Sequence, residues 1–244
     1  MTQAPQATNA GSAACPGSAK ALVFDYRQAA NPIRHGLTEP MREHRWGAAL
    51  HAHGPTAVLP LDLSAELGCE GPATSPALSA NFIRILAGEA IEVSAKATSQ
   101  LFYVWRGAGS CRRPADGLGN EFNQPWNAGD LFVLPAGGPA RLEASAESVL
   151  YWVHDAPLLS FLGVTATQPR FEATHYPGPW LRQELETLAA DPSSARSNRL
   201  SLLMANRDLP ASRTVTHTLW AMLGLVPDGA VQPPIATNRW PWIW

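Results

Sequence analysis

The sequence predicts an all-β fold organised around a small antiparallel barrel or jelly roll. The chain has 244 residues with 22 Pro and 19 Gly, a composition that favours turns and short strands over long helices. Residues 101–105 and 130–134 are two runs of aromatic and aliphatic residues, bounded by Gly107, Gly129 and Pro135. Because turn residues close both runs, we expect two neighbouring antiparallel strands joined by a polar loop.

Further strands are predicted on both sides of this central pair. Their expected ranges are 21–26, 56–63, 81–86, 140–153 and 157–164, the last of which completes the barrel. Pro60 indicates an edge strand or a bulge, because proline cannot donate a hydrogen bond to a neighbouring strand. The proline-bearing segment 69–79 is expected to be a loop, and 168–179 a connector.

One helix is predicted after the barrel, over residues 179–190. Pro179 stands at a natural first-turn position, and apolar side chains repeat at helical spacing at Trp180, Leu181, Leu185 and Leu188. Strands at 200–205 and 219–226 are expected to follow. The predicted domain plan is a disordered tail at 1–20, an N-terminal arm at 21–54, the barrel at 55–165, a linker at 166–198, the start of a second barrel at 199–234, and an aberrant tail at 235–244.

The glycines and prolines between residues 88 and 140 follow the spacing of two known motifs, G-x5-H-x-H-x3-E-x6-G and G-x5-P-x-G-x2-H. The structural positions of these motifs are occupied by Gly88, Gly107, Gly129, Pro135 and Gly137. The stretch therefore resembles the cupin superfamily. This resemblance implies a double-stranded β-helix, or jelly-roll, barrel.

The metal-ligand positions of the same motifs carry other residues. The two His positions, the Glu position and the last His position are occupied by Ser94, Lys96, Gln100 and Ala140, respectively. A lysine opposes a bound cation and an alanine offers no donor, so the resemblance implies a barrel that lacks its metal ligands. Together with His154, these residues are candidates for a pocket that binds an anion such as a small carboxylate.

The resemblance extends to a second, incomplete barrel. Residues 223–234 repeat the pattern of 85–94, an apolar strand followed by a glycine turn, which indicates a weak duplication and hence a bicupin. Residues 235–244 fit no strand or turn pattern, and three of the nine Trp lie among the last five residues. Back-translated with chosen third bases and read from the last base of the Pro234 codon, they become His-Arg-His-Gln-Ser-Val-Ala-Leu-Asp-Leu.

This shifted reading resembles the His-Arg-His entry of gentisate 1,2-dioxygenase-like bicupins. It implies a frameshifted, truncated member of that lineage, inactive because the frame departs at the first ligands of the second barrel. In relatives the intact second barrel is expected to hold Fe(II) or another divalent metal, and this chain to hold no cofactor. Sequencing the gene past Pro234 tests the frameshift, since an intact cupin frame must continue downstream.

His51 and His53 offer a second possible metal site. On a strand, two histidines at this spacing share a face and can bind a metal. No carboxylate follows at the cupin spacing, and the surroundings are typical of a loop. We therefore expect surface or partly buried histidines.

His154 and Asp155 have a catalytic and a structural interpretation. They could form a general base oriented by a carboxylate at a barrel mouth. Without a nucleophile or metal nearby in the sequence, a structural turn at the end of a strand is favoured. His217, in the alternating segment 214–219, is expected to be a surface or inter-domain strand residue.

Bulk properties narrow the function classes. The formal net charge of −2 provides no basic field for nucleic acid, and no apolar run reaches the roughly 20 residues that span a bilayer. Cys15, Cys69 and Cys111 form no CxxC pair, which favours a reducing cytoplasm. Apolar surface left exposed on 219–226 predicts low solubility or homo-oligomerisation.

Two functional hypotheses stay open from the sequence. The first is a catalytically inactive, truncated member of a metal-dependent, ring-cleaving dioxygenase-like bicupin lineage. The second is a non-enzymatic cupin that binds a small aromatic or organic acid as a sensor or structural barrel.

Overall fold

In the described part of the chain, ten strands form two packed antiparallel sheets whose order is that of a jelly roll. The computed structural model describes residues 17–18, 20–21, 23, 25–31, 34–35, 43–115, 121–197 and 199–226. Contacts divide the chain into two units, Met1–Trp46 and Gly47–Trp244.

The first unit carries one short helix among its described residues, α1 (Tyr26–Ala29). The strand expected at 21–26 is wrong, because none of the residues described there is in a strand. The Asp25 carboxylate accepts hydrogen bonds from the backbone N–H and the guanidinium of Arg27. These local bonds favour a helical turn over extended chain.

The second unit holds both sheets and opens with a short helix, α2 (Ala49–Ala52). The larger sheet has the order β1 (Ala57–Pro60), β2 (Ser79–Ile85), β9 (Ser148–His154), β4 (Ser99–Arg106), β7 (Leu131–Pro135) and β10 (Thr174–Tyr176). The smaller sheet has the order β3 (Ala90–Val93), β8 (Ala140–Ala144), β5 (Ala108–Arg113) and β6 (Phe122–Asn127). A short helix, α3 (Ser64–Leu67), follows β1. Strands β2 to β9 make the eight-stranded jelly roll, and β1 and β10 extend its larger sheet at the edges.

The inner faces of the two sheets enclose the main core. Phe102 on β4 and Phe132 on β7 are paired residues whose rings stack with centroids 4.7 Å apart. Trp126 crosses from the smaller sheet and is 1% exposed. The rest of this core includes Ile83, Ile85, Val93, Val104, Cys111, Leu134, Leu142, Leu150 and Trp152.

The polar loop expected between Gly107 and Gly129 is wrong, because β5 and β6 lie there. Strand β5 in particular consists of small and polar residues with low strand propensity, which nevertheless fit the packing. A Cβ on Gly109 would lie 2.1 Å from the Glu143 carbonyl oxygen and 2.6 Å from the Trp126 ring, so only glycine fits where the tryptophan crosses β5. Tertiary packing therefore decides this hairpin, and residues 116–120 within it lie outside the described residues.

The strand expected at 157–164 is also wrong, because residues Ala156–Leu162 form helix α4. Pro157 occupies the first turn, which suits its fixed φ and missing N–H. Pro157 and Leu159 are buried, whereas Phe161 is 78% exposed, so the apolar run does not continue the sheet. The barrel is completed by β9 instead, since the predicted strand 140–153 divides into β8 and β9.

A C-terminal layer covers the outer face of the larger sheet. It consists of α5 (Gly178–Ala190), a short 3-10 helix (Pro192–Arg196), and an antiparallel pair, β11 (Leu200–Met204) and β12 (Ala221–Leu225). The layer and the sheet share an apolar cluster of Leu101, Leu131, Val133, Phe171, Tyr176, Leu181, Met204, Val215, Leu219 and Ala221. The helix predicted over 179–190 corresponds to α5.

The Asp130 carboxylate joins this layer to the barrel. It accepts hydrogen bonds from the backbone N–H of Asn127 at 2.9 Å and of Gly178 at 2.7 Å, and it pairs with His175 Nε2 at 3.1 Å. Gly178 begins α5, where a Cβ would lie 2.7 Å from the backbone of Gly129. The segment predicted as a connector thus contains a strand, β10, and a fixed attachment point.

Several expectations for the C-terminal region need correction or lie outside the described residues. The segment 214–219 is not a strand, and β12 begins at Ala221. Most of the expected tail 1–20, the end of the second-barrel segment at 227–234, and the tail 235–244 lie outside the described residues. Among the described helices, none is both long and apolar enough to cross a membrane.

Candidate ligand cavity

A cavity of about 720 Å³ opens beside one end of the barrel. Its wall includes inward-facing residues of two adjacent strands, Asn81 on β2 and both Trp152 and His154 on β9. Asn81 pairs directly with Trp152 across the strands, so the two side chains lie on the same face. The other lining residues are Val58, Pro60, Glu70, Gly71, Pro72, Ser94, Ala95, Lys96, Ala156, Pro157, Leu159, Ser160, Val164 and Thr165.

Besides Asn81, His154 is the second buried polar residue that lines this cavity. The residue is 7% exposed, and its ring lies against Trp152 with centroids 4.7 Å apart. Its Nδ1 is buried and has no hydrogen-bond partner among the described residues. Burial lowers the pKa of His154 to about 4, although nearby Asp155 acts in the opposite direction. The imidazole is therefore neutral at pH 7 and presents one donor and one acceptor nitrogen.

Asp155 does not orient His154. Its fully buried carboxylate accepts hydrogen bonds from Thr98 N at 2.8 Å, Ser99 N at 3.2 Å and Thr218 Oγ1 at 3.0 Å, and also from the Thr98 hydroxyl. These donors lie at the start of β4 and before β12. The arrangement matches a structural strand-end role and lacks the base–carboxylate pair considered from the sequence.

Charged and hydroxyl groups stand at the rim of the cavity. Ser94 and Lys96 follow β3, and both are exposed. Within the described part of the chain, the Lys96 ammonium is in no hydrogen bond or ion pair. Glu70, also exposed, comes from the loop before β2, and its carboxylate accepts a hydrogen bond from Ser160 Oγ on α4 at 2.5 Å.

Two of the five pocket candidates do not line the cavity. Gln100 is 1% exposed, and its Oε1 accepts a hydrogen bond from Trp152 Nε1 at 3.2 Å. Gln100 therefore supports Trp152 without lining the cavity itself. Ala140 is 1% exposed and packs in the main core. The structure brings Ser94, Lys96 and His154 together around one cavity and leaves Gln100 and Ala140 out of it.

The strand order determines the fold. The barrel has the cupin fold. No family model and no curated protein matches the sequence.

Among solved structures, salicylate 1,2-dioxygenase from Pseudoaminobacter salicylatoxidans, as an adduct with gentisate, is similar with a TM-score of 0.37 and 24% identity, over 47% of this chain and 29% of that one. Another structure of that dioxygenase gives 0.38 and 24%, over 48% and 30%. Pumpkin seed globulin gives 0.29 and 19%, over 32% and 24%. The match spans less than a third of each dioxygenase chain.

The residues at the cupin ligand positions do not fit a metal. Gln100 has its amide oxygen engaged by Trp152, Ala140 has no donor atom, and Lys96 carries a positive charge. Arg113, which is 1% exposed on the inner face of β5, adds a second positive charge to this barrel. Within the described residues, no three His, Cys, Asp or Glu side chains are grouped closely enough to hold a metal ion.

His51, His53 and His217 do not line the cavity. His51 is in helix α2 rather than a loop, and its ring packs on Phe82 with centroids 4.5 Å apart. His53 follows that helix, so the two do not share a strand face. His217 is exposed in an irregular segment, with its ring 6.2 Å from that of Phe171.

Sequence reasoning missed Glu70, Asn81 and Trp152 as lining residues. Asn81 and Trp152 were recoverable in part, because a buried polar or indole group on the inner face of a strand requires a polar neighbour. Glu70 carries no such signal. It reaches the cavity through the fold of its loop.

Proposed function

We propose that this chain is a metal-free cupin whose cavity binds a small organic acid. The observation that carries the proposal is a single cavity lined both by the buried, neutral imidazole of His154 and by the Lys96 ammonium at its rim. An acid whose carboxylate pairs with Lys96 and whose neutral polar group contacts His154 interacts with both residues.

Size and composition support a small-molecule site. The volume of about 720 Å³ lies within the range typical of ligand pockets, about 300–1,000 Å³. Trp152, Val58 and Leu159 supply apolar wall, while polar groups such as those of Lys96 and His154 also line the space. This combination gives an orienting contact at each end of an otherwise apolar ligand.

Titration calorimetry with a panel of small carboxylates, including benzoate, salicylate and gentisate, tests the proposal on the full chain. Lys96→Met should weaken binding by about two- to fivefold, the effect of losing an exposed ion pair. Arg112→Met is the matched control, because it removes an exposed cation from β5 outside the cavity wall and should leave binding unchanged. If no acid binds the parent chain, the proposal fails.

A second candidate is the dioxygenase-like bicupin lineage, with this chain inactive and the metal centre belonging to a second barrel. The shifted reading of residues 235–244 as a His-Arg-His entry favours it. Iron content and oxygen uptake with gentisate or salicylate should be measured on this chain and on a frame-restored version. Turnover by the restored version alone supports this lineage, and turnover by neither favours a non-enzymatic binding protein.

We also propose a cytoplasmic location. The support is the absence of CxxC spacing in the sequence, together with free thiols at Cys69 and Cys111.

A further inference from the structure

Two opposite charges line the cavity without pairing with each other. Lys96 reaches the rim from the segment after β3, and Glu70 reaches it from the loop before β2. Within the described part of the chain, neither side chain takes part in an ion pair. The Ser160 hydroxyl on α4 holds the Glu70 carboxylate at 2.5 Å, so this anion is positioned by a second lining residue.

We infer that the cavity takes a small zwitterion, an α-amino acid with an uncharged side chain. Its carboxylate pairs with Lys96, its ammonium pairs with Glu70, and its side chain points towards Trp152 and His154. This assignment rests on the proposed function, because it concerns the same cavity and names the class of acid.

Charge balance selects this class over the other small acids. A simple monocarboxylate satisfies Lys96 and leaves the Glu70 carboxylate facing an anion, which is repulsive. A dicarboxylate worsens that repulsion, and a plain amine meets the like charge of Lys96. A zwitterion complements both charges at once.

The interior of the cavity restricts the ligand side chain. His154 is neutral and offers hydrogen bonding without charge, and the indole of Trp152 is already engaged through its N–H by Gln100. A charged side chain would lose its hydration against this wall without a compensating ion pair. Uncharged side chains, aromatic ones included, fit the wall best.

Matched ligand pairs test the inference on the full parent chain by titration calorimetry. L-phenylalanine should bind about two- to fivefold more tightly than 3-phenylpropanoate, which lacks the ammonium group. L-phenylalanine amide, which lacks the carboxylate charge, should bind more weakly than L-phenylalanine by a similar factor. This comparison needs no variant, so it holds even if a substitution impairs folding.

Glu70→Gln provides the second arm. It should weaken binding of L-phenylalanine and strengthen binding of 3-phenylpropanoate, each by about two- to fivefold, because it removes an attraction for one ligand and a repulsion for the other. Glu66→Gln is the control, since Glu66 is exposed on neighbouring α3 and does not line the cavity. It should change neither affinity.

The outcomes separate this inference from the proposed function. If 3-phenylpropanoate binds as tightly as L-phenylalanine and Glu70→Gln alters neither, the zwitterion assignment is overturned while acid binding stands. If neither these ligands nor any other carboxylate binds, both proposals are overturned.

Discussion

Replacing Asp155 with alanine removes an acceptor that ties separate segments of the chain together. Its buried carboxylate accepts hydrogen bonds from Thr98 and Ser99, at the start of β4, and from Thr218, before β12. Asp155 itself directly follows β9. The substitution therefore leaves two backbone N–H groups and two hydroxyl groups without this acceptor.

The expected cost is large for one side chain. A buried donor that loses its acceptor costs about 1–3 kcal/mol, so the two backbone N–H groups alone give about 2–6 kcal/mol. We expect Asp155→Ala to lower the free energy of unfolding by about 4 kcal/mol, close to the cost of breaking a buried charged network. Thr218→Val removes one of the donors and should cost about 1 kcal/mol.

Urea denaturation followed by circular dichroism and by tryptophan fluorescence measures both values. Because Asp155 and Thr218 share one hydrogen bond, the double variant should be about 1 kcal/mol less destabilised than the sum of the single variants. A loss below about 1 kcal/mol for Asp155→Ala would refute the reasoning, since it would mean that water or other acceptors satisfy the donors.

Three further predictions follow from backbone geometry and titration. Gly107→Ala should lower the free energy of unfolding by about 2–4 kcal/mol, because φ is +91° and a Cβ would lie 2.1 Å from Ser148 Oγ. Gly88→Ala is the control, because Gly88 has a φ of +78° but lies in open space, and it should lower the free energy of unfolding by about 1 kcal/mol. The free energy of unfolding should fall by about 3 kcal/mol as the pH drops from 6.5 to about 4. In this range His154 binds a proton in the unfolded chain but not when it is buried in the folded protein. His154→Gln should therefore make the free energy of unfolding less dependent on pH. Burial raises the pKa of Cys111 to about 12, so peptide mapping should find it protected from thiol reagents until the protein unfolds, whereas fast native labelling would contradict the packed core.

The frame of the barrel could be predicted because its signals are local. The apolar runs 101–105 and 130–134 and their flanking glycines correspond to β4 and β7, which pair antiparallel. Both strands are buried on two faces, by the core on one side and the C-terminal layer on the other, and this explains why the runs do not alternate. A positive φ at Gly107 and at Gly129 accounts for two of the motif positions.

Elements whose structure depends on long-range contacts could not be predicted from the sequence in the same way. The run 157–164 is short and apolar and has no clear strand or helix periodicity. It forms helix α4 because β9 already completes the sheet beside it. Strand β5 is built from small and polar residues that fit beneath Trp126. The cavity is a similar case, since Glu70 and Lys96 both line it through the packing of separate loops.

Strand β9 separates two cavities that lie on its opposite faces. Trp152 and His154 face the ligand cavity, whereas Tyr151 and Val153 line an apolar groove of about 500 Å³ beneath α5 and the β11–β12 pair. Neighbouring residues of a strand point to opposite sides. A ligand that immobilises Trp152 and His154 therefore also immobilises the backbone that carries Tyr151 and Val153. Amide exchange along 149–154 should therefore slow when the cavity is filled, and repacking Val153 in the groove should change affinity inside the barrel without touching the ligand.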